Sequence, residues 1–389
     1  MDGNQRSPPG NQRKQKLSIA SEQSRSLGAR WIHSMLAPPL ENHWINITED
    51  NVESISVSPA YSPQYLGDYS VILPAAVNAH AHLELSQLTS PLEVPSRSMS
   101  DWVAALLAFR RSPGYNAAEG IRHALCRPEL LESTIAIADI VPLTTDQPEG
   151  LRPPLLQFPR LLPFVELIAW RNEMLMPIPD AFGLSPHAPH TVCPALLEKA
   201  LEKAIHQNIP LAMHLAETPE ELQLLTHHTG PLLEMMRRAD PDYDPKSVLL
   251  GKRPMDYLQL LSAVPNVLII HGNYLDDDEL RFLATHRETM SVVYCPRSHA
   301  YFRHTSYPLQ KMLDYGVRVL LGTDSLASTP NLSLVEEMQF ILQQHPTISP
   351  ETVYRLATSE GASALHLPEG FGTIQPGSPA RFAVLMLQN

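Results

Sequence analysis

Between residues 71 and 369 the chain alternates short apolar runs with helix-patterned segments, and nothing else in the sequence narrows the fold so far. The runs are 71–77, 134–140, 162–168, 182–186, 211–215, 267–270, 291–294 and 318–321. Near-continuous apolar runs of this length suit strands buried on both faces, as in a parallel sheet. Helix starts fill most gaps. Ser98-x-x-Asp101 reads as a cap followed by Trp102, Leu106 and Phe109 on one face. Pro194 opens a segment with Leu197, Leu201 and Ile205 spaced by four, and Ser333 and Ser349 start two more. No helix pattern separates the third run from the fourth. Eight strands with crossover helices predict an α/β fold, a (β/α)8 TIM barrel.

The flanks have a different texture. Residues 1–16 carry Pro, Gly and basic residues without apolar periodicity and read as a disordered leader. Residues 17–70 hold short β-rich segments parted by Pro, Asn and Asp, the pattern of a small antiparallel unit. Residues 370–389 read as a turn and a strand. The expected division is therefore 17–70 and 370–389 as one small β-sandwich built from both ends, around a hydrolase barrel at 71–369. An apolar fraction of 43% supplies a sizeable core. The net charge of −12 disfavours a broad surface for nucleic acid. No run of about 18 apolar residues offers a membrane span. Cys126, Cys193 and Cys295 make no C-x-x-C and fit reduced thiols in the cytoplasm.

In a barrel of this kind the chemistry sits at the C-terminal strand ends. The first run leads into His80-Ala81-His82, the fifth into His214-Leu215-Ala216-Glu217, the sixth into His271 and the eighth into Asp324. A lone strand-end histidine is commonly a packed core residue. With 17 histidines in the chain, one H-x-H is expected by chance. Four such ends in one barrel favour a shared ion instead. His80 and His82, two apart on an extended segment, point to the same side. Neutral imidazoles with one carboxylate suit Zn²⁺ or Fe²⁺ and suit Mg²⁺ poorly. His80, His82, His214 and Asp324 are thus the expected ligands of one divalent transition metal ion. Pro186-His187 ends the fourth run, where no lysine stands for carboxylation, so one ion rather than two is expected. His271 is either a further ligand or a hydrogen-bond partner of the nucleophile. Glu217, just beyond its strand, suits a proton shuttle. The alternative for Glu217 is a first-turn acid of the following helix.

These residues lie in ordered blocks that resemble the amidohydrolase superfamily. The likeness is to the branch of cytosine, guanine and adenosine-analogue deaminases and triazine chlorohydrolases. The blocks are LPAAVNAHAHLEL (73–85), LSPHAPHTV (184–192), LAMHLAET (211–218), His271-Gly272, VYCPRSH (293–299) and LGTDSLAS (321–328). A terminal G-T-I-x-P-G (372–377) matches the family's composite sandwich.

The resemblance implies a mononuclear centre with His80, His82, His214 and Asp324 as ligands, zinc or iron as the ion, and Glu217, His271 and Asp324 as the catalytic groups. Hydroxide would attack an amidine-like ring carbon, with Glu217 moving protons, His271 hydrogen-bonded to the hydroxide, and Asp324 taking the proton of the attacking water. His187 would face the ring. Arg297, His299 and His304 are candidates for substrate contact, with loop packing as the equal alternative. Trp102 and Cys295 are expected in the core. The expected reaction is hydrolytic deamination of a small aminated heterocycle, a purine, pyrimidine or nucleoside-like compound. A chlorohydrolase or other C–N hydrolase is the alternative, and a non-catalytic binding barrel is the third reading. Relatives of this kind are often homo-oligomers. Tyr294 departs from a frequent histidine at its position, and Arg303 from a glycine.

Overall fold

The computed structural model describes residues 24–94, 96, 98–143 and 158–387, so the leader expected at 1–16 lies outside the described residues. Fourteen strands are described: β1 (Arg25–Ile32), β2 (Leu40–Thr48), β3 (Asn51–Ser56), β4 (Ser62–Tyr65), β5 (Ser70–Pro74), β6 (Ala76–Ala81), β7 (Thr134–Pro142), β8 (Arg160–Leu167), β9 (Gly183–Pro186), β10 (Leu211–Leu215), β11 (Val267–His271), β12 (Met290–Tyr294), β13 (Val319–Leu321) and β14 (Phe382–Met386). They form two sheets. The order β14-β5-β1-β2-β3, with β4 on β1, joins both flanks of the sequence into one six-stranded sheet. The strands β6 to β13 run parallel in sequence order, as a (β/α)8 barrel requires.

Two expectations need correction. The apolar run at 71–77 is not one strand. It divides at Ala75, so that β5 joins the terminal sheet and β6 opens the barrel. The N-terminal unit is not purely antiparallel either, because β1 pairs with β4 and β5 in parallel and with β2 antiparallel. The remaining seven runs appear as strands in the expected order, and only a short 3₁₀ turn, Asn172–Met174, stands between β8 and β9.

The barrel closes where its first and last strands meet. Ala81 bridges Asp324 in parallel. The carbonyl of His80 accepts the N–H groups of Thr323 and Asp324, each at 3.1 Å. Asn78 adds a two-point link, its Nδ2 donating to Thr323 Oγ1 at 2.7 Å and its Oδ1 accepting from Thr323 N at 3.1 Å. Along the strands, alternate residues part company. Ala212, Leu268, Ile270, Val293 and Leu320 share one buried cluster. Leu211, Met213, Val267, Ile269 and Val319 belong to the layer between strands and helices. His214 and Asp324 have the parity of the first set. The helices begin as expected: Ser98, Ser333 and Ser349 cap Met99–Arg110, Leu334–Gln344 and Pro350–Ala357, and Pro194 is the first residue of Pro194–Gln207. No described helix is long and apolar enough to cross a membrane.

The loop after His82 is pressed against the helix Ala117–Ala124. A Cβ on Gly120 would lie 2.0 Å from the carbonyl oxygen of Glu84. Alanine normally gains about 1 kcal/mol over glycine inside a helix. Here the obstacle is backbone, which no rotamer change relieves, and overpacking costs about 1–3 kcal/mol. We expect Gly120→Ala to lower unfolding stability in urea. A variant as stable as the parent chain would show that the helix and the loop can separate without cost.

Candidate metal centre and active site

Each strand end delivers its side chain through a specific backbone device. His80 lies in β6 and His82 one residue beyond it, on the same side of the extended chain. Ala216, His271 and Asp324, at or just past the ends of β10, β11 and β13, adopt the left-handed region with φ of 54°, 67° and 60°. Such backbone costs about 1–3 kcal/mol at a non-glycine residue and collects at functional sites. It turns the chain off the strand and aims the next polar groups at the barrel mouth.

The imidazoles converge. The ring of His80 stands 4.9 Å from that of His82, 5.0 Å from His214 and 5.7 Å from His271. Two overlapping groups bring their ligand atoms within 4.8 Å of one another: His80 with His214 and His271, and His80 with His82 and Asp324. His80 is fully buried, and neither of its ring nitrogens has a hydrogen-bond partner. Burial, then the neighbouring His82 and His214, hold it well below its ordinary pKa, so it is neutral. A buried ring nitrogen without a partner costs roughly 1–3 kcal/mol, and a cation held by the lone pair of this imidazole would relieve that cost.

The surrounding groups fix the tautomers and leave lone pairs facing inward. His214 Nδ1 donates to the carbonyl of His187 at 3.1 Å, which frees Nε2 as an acceptor. Burial first, then His187, lowers the pKa of His214 to about 3. Asp324 Oδ2 accepts from Ser298 Oγ at 2.6 Å and Ser328 Oγ at 2.8 Å, while Oδ1 lies 3.8 Å from His80 Nε2. Burial raises Asp324 to about 6 against the pull of these hydroxyls. An added cation would reverse that balance and favour the carboxylate. The donor set therefore fits a divalent transition ion: neutral imidazoles, one carboxylate and an ordered outer shell.

Glu217 sits beside the cluster. Its Oε1 is 3.3 Å from His271 Nε2. The capping work of the next helix falls to others: Thr218 accepts from Glu221 N, and the Glu221 carboxylate accepts from the N–H groups of Ala216 and Glu217. Burial, then the nearby Asp324 and Glu221, push Glu217 well above the usual carboxylate range. That shift makes the carboxyl readier to take up and return a proton than an exposed glutamate is.

The candidate substrate contacts divide. His187 lies 4.9 Å from His214, ring to ring. Its Nδ1 is spent on Thr191 Oγ1 at 2.8 Å, and because that hydroxyl donates onward to the Ala188 carbonyl, Nδ1 is the protonated nitrogen and Nε2 the acceptor. His299 and His304 face each other at 5.2 Å, each with a buried, unpartnered Nε2. His304 Nδ1 is 3.1 Å from the Tyr274 hydroxyl. Arg297 is placed elsewhere, which corrects the expectation of substrate contact. Its guanidinium binds Glu337 and Glu336 at 2.7 Å each and the carbonyls of Asn331 and Ser333, locking the helix Pro296–Tyr301 onto Leu334–Gln344. Trp102 takes the core role, donating to the Ala327 carbonyl and packing edge-on against Phe302, and Cys295 is buried.

Several site residues were not foreseen. Ser298 and Ser328 orient Asp324, and both lie in the quoted blocks, where a hydroxyl near a ligand could have raised the question. Glu84, buried two residues after His82, accepts from Arg110 and Tyr115. Burial first, and among charged groups Arg110, hold the pKa of His82 and His187 down. Asp139, in β7, accepts the Leu83 N–H at 2.9 Å and so holds the turn that follows His82.

Known proteins resemble the chain in sequence and in fold. A model of the amidohydrolase family matches residues 173–389, more than half of the chain. Among curated proteins, the chain is 33% identical over 235 residues to the 5-methylthioadenosine/S-adenosylhomocysteine deaminase of Thermococcus sibiricus, covering 58% of this chain and 48% of that one. It is 28% identical over 325 residues to the aminodeoxyfutalosine deaminase of Deinococcus radiodurans, covering 75% and 72%. The chain thus spans about half the length of the methylthioadenosine deaminases it matches. Among solved structures, the Helicobacter pylori aminofutalosine deaminase with methylthio-coformycin superposes with a TM-score of 0.73 at 20% identity, covering 94% and 93% of the two chains. An adenosine deaminase of Xanthomonas campestris with bound zinc gives 0.64 at 18%, covering 94% and 85%. These last two show likeness of fold. With a matched family model over most of the barrel and the sandwich strand beyond it, the chain belongs to the amidohydrolase family.

Proposed function

We propose that this chain is a metal-dependent hydrolase that deaminates an aminated heterocycle on a nucleoside-like substrate. One observation carries the reading: the bare nitrogens of His80 stand among His82, His214, His271 and Asp324, with the carboxyl of Glu217 against His271. The residues that would hold the ion are His80, His82, His214 and Asp324, and zinc is the ion this donor set suits best. Such an ion supplies an activated water, whose pKa falls from 15.7 towards about 7.

The chain's own groups do the rest. Asp324 Oδ1 takes a proton from the attacking water, while its Oδ2 stays fixed by Ser298 and Ser328. Glu217 gives its proton to the ring nitrogen beside the attacked carbon, and His271 holds the new oxygen by a hydrogen bond. The proton on Asp324 then passes to the amino group, which leaves as ammonia, while the Glu217 carboxylate takes back the proton of the added hydroxyl and the C–O bond becomes a carbonyl in place of the C–N bond. His187 Nε2 accepts an N–H of the ring. The unpartnered Nε2 atoms of His299 and His304 meet polar groups on the rest of the substrate. Three free cysteines suit a cytoplasmic setting.

Three measurements test this reading. Ammonia release from a panel of purines, pyrimidines and nucleosides should identify a substrate. Glu217→Gln should lower kcat by about 10²–10⁴-fold while elemental analysis still finds one ion per chain. If chlorinated triazines turn over and no aminated compound does, the deaminase reading fails and the hydrolase reading stays. Chelation should abolish activity and lower the melting temperature, with both restored by added zinc. A chain that binds no ion after metal-replete expression would end the proposal.

A fourth test uses pH. Burial holds His299 and His304 down to about 4 each, below the 6.5 of an unfolded histidine. Between pH 6.5 and 4 the unfolded chain binds protons that the folded one refuses, so stability present above 6.5 is lost as pH falls. Each unit of depression is worth about 1.4 kcal/mol. The double variant His299→Asn/His304→Asn should therefore lose less stability than the parent between pH 7 and 4.5. Parallel curves would mean that the two rings are solvated.

A further inference from the structure

His271 ends β11 in an unusual way. Its own φ is 67° and that of Gly272 is 58°, two consecutive left-handed residues. Gly272 N turns back to the carbonyls of Ile270 and Leu215, at 3.0 and 3.1 Å. The ladder to β12 stops at Ile270, so the His271 carbonyl is left outside it. A buried carbonyl in that position needs a donor. Tyr307 supplies it: its hydroxyl donates to His271 O at 2.9 Å. Tyr307 is buried in the connection between the helices Pro296–Tyr301 and Leu309–Tyr315. Its ring stacks on Tyr294, at the end of β12, with centroids 3.6 Å apart and planes 7° from parallel. Pro308 follows and restricts the Tyr307 backbone.

The stack needs only rings, so burial alone would be served by phenylalanine at 307. The hydroxyl is the part that packing does not explain. Tyr294, the departure noted in the sequence, is what the Tyr307 ring rests on.

We propose that Tyr307 is a positioning residue for His271: its hydroxyl pins the His271 carbonyl in the left-handed turn and so sets the imidazole against Glu217. The kinetic consequence rests on the function proposed above, but the geometric one does not. Without the hydroxyl the turn relaxes towards the strand, and the 3.3 Å approach of His271 Nε2 to Glu217 Oε1 opens.

The test is Tyr307→Phe, which keeps the ring stack, with Tyr294→Phe as the control that keeps the hydroxyl. In metal-free protein with labelled histidine, Tyr307→Phe should shift the ring resonances of His271 and leave those of His33 and His286 in place. Tyr294→Phe should leave all three. In the loaded enzyme Tyr307→Phe should lower kcat by about 10–100-fold with KM within about threefold. In a His271→Asn background the same change should cost nothing more. Unmoved His271 resonances in folded Tyr307→Phe overturn the proposal, and so does a kcat loss that persists in the His271→Asn background. If the parent chain deaminates nothing, the proposed function fails and the resonances still decide the role of Tyr307. Should Tyr307→Phe not fold, the parent protein decides: a Tyr307 hydroxyl proton that exchanges freely with water overturns the proposal.

Discussion

The seam between β6 and β13 is the contact on which the rest of the molecule depends. A (β/α)8 sheet must bring its first and last strands together, and this chain does so at the residues proposed to carry its chemistry. The carbonyl of His80 accepts two N–H groups from the Thr323-Asp324 segment, and Asn78 clasps Thr323 at both ends of its amide. One side of the join ends in His80 and His82, the other in Asp324. A shift of one residue across it would turn alternate side chains to the wrong face and break up the cluster. Gly322 is part of the same fit, since a Cβ there would come within 2.9 Å of His80 O.

Around that seam the interior trades solvation for readiness. Imidazoles are kept neutral by burial, hydroxyls from Ser298 and Ser328 hold one oxygen of Asp324, and three strand ends carry left-handed backbone. None of these choices adds stability by itself. They are costs that a bound cation would offset, since His80, His82, His214, His271 and Asp324 bring their ligand atoms together. The surrounding packing is ordinary. Large apolar clusters on both sides of the barrel wall supply the stability that the polar centre does not.

Much of this could be read from the sequence because strands and ligands follow periods. Eight apolar runs marked the barrel, and histidines closing them marked the mouth. The split at Ala75 had one sign, Pro74 inside VILPAAV, since proline cannot donate to a ladder and marks a strand's end or edge, but the run's unbroken apolar character masked it. Arg297 misled because a cation near histidines resembles a substrate contact. Its partners, Glu336 and Glu337, lie on a distant helix that sequence spacing does not bring near. Tyr307 and Asp139 were beyond reach for the same reason. Their work is done through backbone atoms of remote segments, and a backbone acceptor leaves no trace in residue type.

The pairing of β14 with β5 carries a consequence for how the molecule is assembled. The two strands are neighbours in the sheet and roughly 300 residues apart in the chain. The barrel's opening strand, β6, follows β5 after a single residue. Its anchorage therefore waits on a segment that leaves the ribosome long after it. Until that segment arrives, β5 offers an unpaired edge, a natural place for a chaperone to bind and for unwanted association between nascent chains to begin.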